Sequence, residues 1–138
     1  LQRTDLVRMA PASAFLPPAS RRGSRRDLVL DLRGRSLVFA RLSDCVLRNA
    51  DLTGSDLRYA DISGADLDGA DLSGANLSGS IAWEISLEDV RLHDTAFRGA
   101  RLDNSNLTGA NLGWADMRGA ILRGAKLTCA QLGHVRLE

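Results

Sequence analysis

Ala65-Asp66-Leu67-Asp68-Gly69-Ala70-Asp71-Leu72-Ser73-Gly74-Ala75-Asn76-Leu77-Ser78-Gly79 states one five-residue phrase three times: a small residue, an Asp or Asn, a Leu, a variable residue and a Gly. The phrase continues in both directions. From Asp27 onward there are 20 Leu, and 18 of them fall in one phase of the five-residue period, from Leu32 to Leu137. Ile62, Phe97 and Met117 share that phase, which leaves Ala82 as the one weak member of 22 consecutive centres. Two residues before the centre stand 12 Ala together with Ser55, Ser80 and Ser105, and ten of the 21 positions two after a centre are Gly.

Neither standard period accounts for this pattern. A helix repeats every 3.6 residues and a strand alternates at 2.0, so a strict period of five drifts over every face of either element. The pattern is met if each five-residue unit is one short side of a square coil. The centre and the small residue before it then point inward and the other three residues outward. Gly two after the centre supports a corner, where a tight turn needs a positive φ. Four such sides close one coil, so residue n lies beneath residue n+20.

The three phrases resemble the A(D/N)LXX signature of the pentapeptide-repeat family, and the match extends over most of the chain after Asp27. The resemblance implies an all-β fold, a right-handed quadrilateral parallel β-helix of about five and a half coils. Its Leu layers would stack at the usual spacing of ~4.8 Å, giving a rod roughly 26 Å long. A leucine-rich-repeat horseshoe is disfavoured, because its period is longer and nothing here reads as its helical side. The expected organisation is an Arg- and Pro-rich arm over residues 1–26 and a β-helix over 27–138. Between Ser80 and Thr95 the Gly corners disappear and large apolar residues enter. Leu77 to Phe97 still spans one whole coil, which predicts altered corners with a local bulge and Ile85 and Val90 replacing Ala inside.

Several chemistries are disfavoured by this register. Cys45 and Cys129 lie about four coils or ~20 Å from each other, beyond the reach of a disulfide. His93 and His134 are separated by two coils, ~10 Å, too far to share a metal unaided. The column Asp31, Asp51, Asp71 occupies the outward Asp position of the repeat, where a carboxylate is expected to bond neighbouring backbone. A convex rod without a cleft offers no place to exclude water from a transition state, so neither catalytic residues, cofactor nor metal is expected.

Two functional classes remain: an interaction scaffold working as a subunit of a larger assembly, and, by resemblance to some family members, a DNA mimic that binds topoisomerases such as gyrase. A mimic should be negative along its length. Here Asp27 to Val90 carries 12 acids and five bases, whereas Arg91 to Glu138 carries four acids and seven bases. That reversal favours the scaffold, with other protein subunits as partners and no direct nucleic-acid contact. The candidate contacts are Arg21, Arg22, Arg25 and Arg26 of the arm, the strip Val38, Phe39 and Tyr59, Trp83 in the irregular tract, and Arg98 and Arg118, one coil apart in the basic half. Phe39 and Tyr59 differ by one coil in number and occupy corners where the repeat favours Gly. This strip is expected to dock either Phe15-Leu16-Pro17-Pro18 or a partner.

No apolar run approaches the roughly 18 residues that span a bilayer. Leu1 is not an initiator, which suggests a processed form or a fragment. The acid-poor, Arg-rich segment Gln2 to Arg26 suits the remnant of a plastid or mitochondrial targeting sequence, with the bacterial cytoplasm as the other compartment. Leu28-Val29-Leu30 are expected to close the first coil. Leu137-Glu138 ends in mid-pattern, so the C-terminal coil is expected either to contact another chain, by self-association or with a partner, or to be a truncation point.

Overall fold

Five backbone N–H groups in the repeat Ala70 to Gly74 find five partners, and together they define the architecture. Ala70 N–H closes a turn on Leu67 O at 2.9 Å. Asp71 N–H donates to Ala50 O of the preceding coil at 3.0 Å, while Leu72 and Gly74 N–H donate to Arg91 O and His93 O of the following coil at 2.8 and 2.9 Å. Ser73 N–H, which faces neither neighbour, donates to the Asp71 carboxylate at 3.0 Å. Every main-chain donor of the unit is thereby satisfied.

The computed structural model describes residues 29–138, and this unit repeats throughout them. Parallel bridges join n to n+20 from Asp31↔Asp51 to Asp116↔Arg136, and a two-residue corner follows each centre. Four walls result. The first is centred on Leu32, Leu52 and their successors one coil on, the second on Leu37 and Leu57, the third on Leu42 and Ile62, and the fourth on Leu47 and Leu67. The contacts between coils are single-residue bridges rather than extended strands, because the corners consume two of every five residues. Arg21, Arg22, Arg25, Arg26 and the rest of the arm lie outside the described residues, as do Asp27 and Leu28.

Asp and Asn hold the place before the centre for a reason of hydrogen bonding. At all ten described positions where one stands there, from Asp31 to Asp116, its Oδ1 accepts the N–H two residues on. This is the Asx turn, a local bond that these short side chains make readily. Ser86 makes no such bond, and Glu88 N–H donates to Asp68 Oδ1 of the preceding coil instead, at 2.9 Å.

The interior is a stack of Leu with small residues beside it. Leu72, Leu77, Leu87, Phe97 and Leu102 are fully buried, and so are Ala60, Ala70 and Ala100. The wall is sensitive to the bulk of the residue two before the centre. Where it is Ala, the turn-closing bond measures 2.9–3.1 Å; at Val90 and Val135 it lengthens to 3.4 Å, and at Ile85 it is lost. Widening therefore occurs as single stretched corners. The bulge expected between Ser80 and Thr95 does not form. Ala82, the smallest centre, shortly precedes Ile85, and the bridges Ile81↔Arg101, Ser86↔Asn106 and Arg91↔Asn111 keep the step from n to n+20. Ile85 and Val90 occupy inward positions as expected, and Thr95 adds a buried bond from its hydroxyl to Leu72 O at 2.9 Å.

Cys45 is a buried wall residue whose thiol pKa is pushed up by burial and by the neighbouring Asp44. Cys129 is exposed, and both thiols are free. Among the described residues no helix is long and apolar enough to cross a membrane. At the amino-terminal side Leu30 and Leu32 pack partly on the core, while in the last coil Leu132 and Leu137 are 51% and 64% exposed.

Ser55, Ser80 and Ser105 stand at inward Ala positions, and among the described residues their hydroxyls have no hydrogen-bond partner. A buried unsatisfied hydroxyl costs about 1–3 kcal/mol. Ser80→Ala is therefore expected to stabilise the chain by roughly 1 kcal/mol in denaturant unfolding. A loss of stability would show that the hydroxyl is bonded.

Candidate partner-binding surfaces

With the interior closed, the surfaces offered by the described residues are built from the outward columns, in which residues n and n+20 are neighbours. The expected strip is formed. Phe39 and Tyr59 occupy second-corner positions on adjacent coils of the second wall, with ring centroids 5.3 Å apart and planes inclined by 17°. Phe39 is 70% and Tyr59 56% exposed, and Val38 is half-buried beside them. Both aromatics hold a φ of 58°, a conformation disfavoured for large side chains. The stacked pair offsets part of that cost, since such pairs contribute about 0.5–1.5 kcal/mol beyond burial. Next to Tyr59 on the following coil lies Gly79, at whose α-carbon a Cβ would meet Tyr59 Cε1 at 2.5 Å. Gly79 is thus required twice, for its φ of 69° and for the ring that rests on it.

Trp83, on the third wall, is 43% exposed and does not stand alone. The Arg101 guanidinium lies over its ring, 5.0 Å from the centroid. Ile81 and Ile121 flank Arg101 in the bridging column, at the position where the repeat favours Asp or Asn.

Arg98 and Arg118 stack one coil apart as expected, but they do not make a free basic stripe. Arg118 grips Asp116 through two bonds of 2.8 and 2.6 Å, and Arg98 Nε lies 3.7 Å from the same carboxylate. The Arg118 arrangement recurs wherever Asp before the centre meets Arg after it, at Asp31/Arg33 and Asp56/Arg58. Asp116 is held down to about 2, chiefly by its side-chain bonds with Arg118.

Two further features escaped the reading of the sequence. Trp114 and His134, also one coil apart at a corner, stack with centroids 4.1 Å apart, a pairing that the rule applied to Phe39 and Tyr59 would have found. On the fourth wall Arg48 bridges Asp66 and Asp68 beside Glu88 and Asp89, around a shallow open depression of about 320 Å³. His93 is exposed one coil from Gly113, and among the described residues no group of three His, Cys, Asp or Glu is arranged to hold a metal ion.

Comparison with known proteins places these surfaces in context. A family model described as pentapeptide repeats matches residues 36–74, 70–109 and 105–138, in eight copies. Among curated proteins none matches the sequence. The crystal structure of alr5209, a pentapeptide repeat protein from Nostoc Pcc 7120, aligns with a TM-score of 0.67 and 36% identity over 75% of this chain and 85% of that one. AT2G44920, a pentapeptide repeat protein from the Arabidopsis thaliana thylakoid lumen, is 30% identical over 68% of this chain and 66% of its own, with a TM-score of 0.49. QnrB1, a plasmid-mediated fluoroquinolone resistance protein, is 22% identical over 75% of this chain and 67% of its own, with a TM-score of 0.46.

The clamp on Asp116 has a measurable consequence. A carboxyl held low in the folded chain contributes stability that is complete above its unfolded value, near ~3.9, and is lost as pH falls through the folded value. For Asp116 that loss is centred at about 2. Its NMR-detected titration in the intact chain should show that midpoint, and Arg118→Ala should raise it toward the ordinary aspartate range. An unchanged midpoint would mean that Arg118 does not hold the carboxylate.

Proposed function

This chain belongs to the pentapeptide-repeat family, and on that premise we propose that it is a non-enzymatic scaffold, a right-handed quadrilateral β-helix that presents its walls and amino-terminal arm to other protein subunits within a larger assembly. The observation that carries the reading is the Phe39/Tyr59 stack: two large, exposed aromatics held at corners of positive φ, on successive coils joined backbone to backbone. An exposed apolar feature on so rigid a support suits a protein contact. Trp83 with Arg101 has the composition of an interface anchor, in which Trp and Arg are enriched.

The other proposed contacts follow from chemistry. Arg21, Arg22, Arg25 and Arg26 would meet an acidic surface of the partner, while Val38, Phe39 and Tyr59 receive the arm's Phe15-Leu16-Pro17-Pro18 or a partner segment. Arg98 and Arg118, tied to Asp116, contribute through their aliphatic stems and remaining donors. The exposed Leu132 and Leu137 give the last coil an apolar edge for self-association or a partner. The compartment that fits this reading is the bacterial cytoplasm or an organelle, plastid or mitochondrion.

Incorporation into the native assembly, followed by native gel and size-exclusion chromatography of the tagged chain, tests the reading. Removing residues 1–26 should leave the β-helix folded by circular dichroism but lower incorporation. Combined Phe39→Ser and Tyr59→Ser changes should lower it at least tenfold. Undiminished incorporation of both variants would sink the proposal, and potent inhibition of gyrase supercoiling by the purified chain would support the DNA-mimic reading in its place.

A further inference from the structure

Most carboxylates of the first, second and fourth walls already have an arginine from their own chain: Asp31 with Arg33, Asp56 with Arg58, Asp66 and Asp68 with Arg48, Asp71 with Arg91, Asp116 with Arg118. The third wall is different. Among the described residues none of Arg41, Asp44, Asp61, Glu84 and Arg123 takes part in an ion pair, and the one contact there, Arg101 with Asp103, is long at 3.6 Å. The charges are also sorted along the rod. The early half of this wall and its corner carries Asp44, Asp61 and Glu84 against Arg41, and the late half carries Arg101 and Arg123 against Asp103. Between them lies the exposed Trp83, next to Ile81 and capped by Arg101.

We propose that the third wall is a homodimer interface, in which two copies of this chain pack wall to wall in antiparallel orientation. The two-fold axis crosses the rods at the level of Ile81 and Trp83. An isologous contact requires a surface complementary to itself after such a rotation, and the bridging column of this wall meets that condition. In the bridging column Ile81 meets the second copy's Ile81, and Asp61 lies at the height of the second copy's Arg101. At the corner Trp83 meets its own counterpart and the neighbouring Glu84 lies against its own, a like-charge contact at the rim, while Arg123 lies at the height of the second copy's Ser43, next to its Asp44. The aliphatic stem of Arg41 covers the second copy's Ile121.

The remaining walls fail the same rotation. On the second it sets Arg58 against Arg118 and Asp56 against Asp116. On the fourth it sets Glu88 and Asp89 against themselves and aligns no opposite charges, Arg48 falling opposite Thr128 and Asp66 opposite Asn106. On the first it aligns Asp71 with Arg91, but these are already joined within each chain at 3.4 Å. Opposite charges aligned across the axis on both sides of an exposed Trp set the third wall apart from these arrangements. The dimer rests on the reading of the rod as a surface-presenting scaffold and names one surface of that scaffold and its occupant. A monomeric rod that still joins its assembly would remove the dimer and leave the broader reading in place.

Sedimentation velocity of the full chain over a concentration series tests this. The wild-type chain is expected to dimerise in the micromolar range, and the dimer to weaken as salt rises, because the contacts at its rim are exposed charges. Arg101→Asp should weaken dimerisation at least tenfold by setting carboxylates against each other. Its fold should survive, since Asp is a common residue at that position of the repeat and would accept the Asp103 N–H. Adding Asp61→Arg to Arg101→Asp restores opposite charges across the axis and should restore the dimer. Leu132→Glu, on the first wall and away from this interface, should leave it unchanged. A chain monomeric at all concentrations, a dimer insensitive to Arg101→Asp, a double variant that stays monomeric, or dissociation by Leu132→Glu would each overturn the proposal.

Discussion

The fixed step from n to n+20 between main-chain hydrogen-bond partners is the constraint on which this molecule depends. Each wall is too short to form a strand of useful length, and a single coil could not bury its Leu residues. Stacking resolves both problems, because the centre and second-corner N–H groups reach the next coil while the N–H before the centre reaches back. One donor in five, the first-corner N–H, is left over, and the Asp or Asn before the centre takes it. The repeat signature is thus an inventory of donors and volumes: Ala where the wall cannot bulge, Asp or Asn where a donor would be orphaned, Leu where the interior must be filled.

The same rigidity explains how irregularity is tolerated. Ile85, Val90 and Thr95 enter positions sized for Ala, and the helix responds by stretching or losing one turn-closing bond at a time, without a change of register. Small Ala82 beside bulky Ile85 keeps the local volume nearly constant, as close-packed interiors require. What varies is the outside. The tract between Ser80 and Thr95, which has no Gly corner, is also where Trp83 meets Arg101, so departure from the repeat is felt as a surface feature on a frame of unchanged register.

Electrostatics divides the rod into satisfied and unsatisfied parts. Where Asp before a centre is followed by Arg after it, the pair closes on itself at the corner, and the shared Asp116 ties down both Arg98 and Arg118. Charge counted from the chain alone therefore overstates how basic the late half is. Most charges of the third wall lack such partners among the described residues and face outward. Exposed ion pairs contribute little to the fold itself, which leaves their arrangement free to serve recognition.

The amino-acid sequence by itself determined the period, the inward and outward positions and the columns. A phase shared by 18 Leu admits one way of burying them, and the burial of Leu37, Cys45, Ile85 and Phe97 follows it. The neighbourhood of Phe39 with Tyr59, and of Arg98 with Arg118, was legible from their numbers, which differ by one coil. Only the tertiary structure decided where those outward side chains turn: that Tyr59 rests on Gly79, that Arg101 lies back over Trp83, that Arg118 folds onto Asp116, and that the Ser80 to Thr95 tract keeps its register without a bulge. Periodicity fixes the origin of a side chain on the wall, but its direction depends on what the preceding and following coils leave open. That space exists only once the coils are stacked.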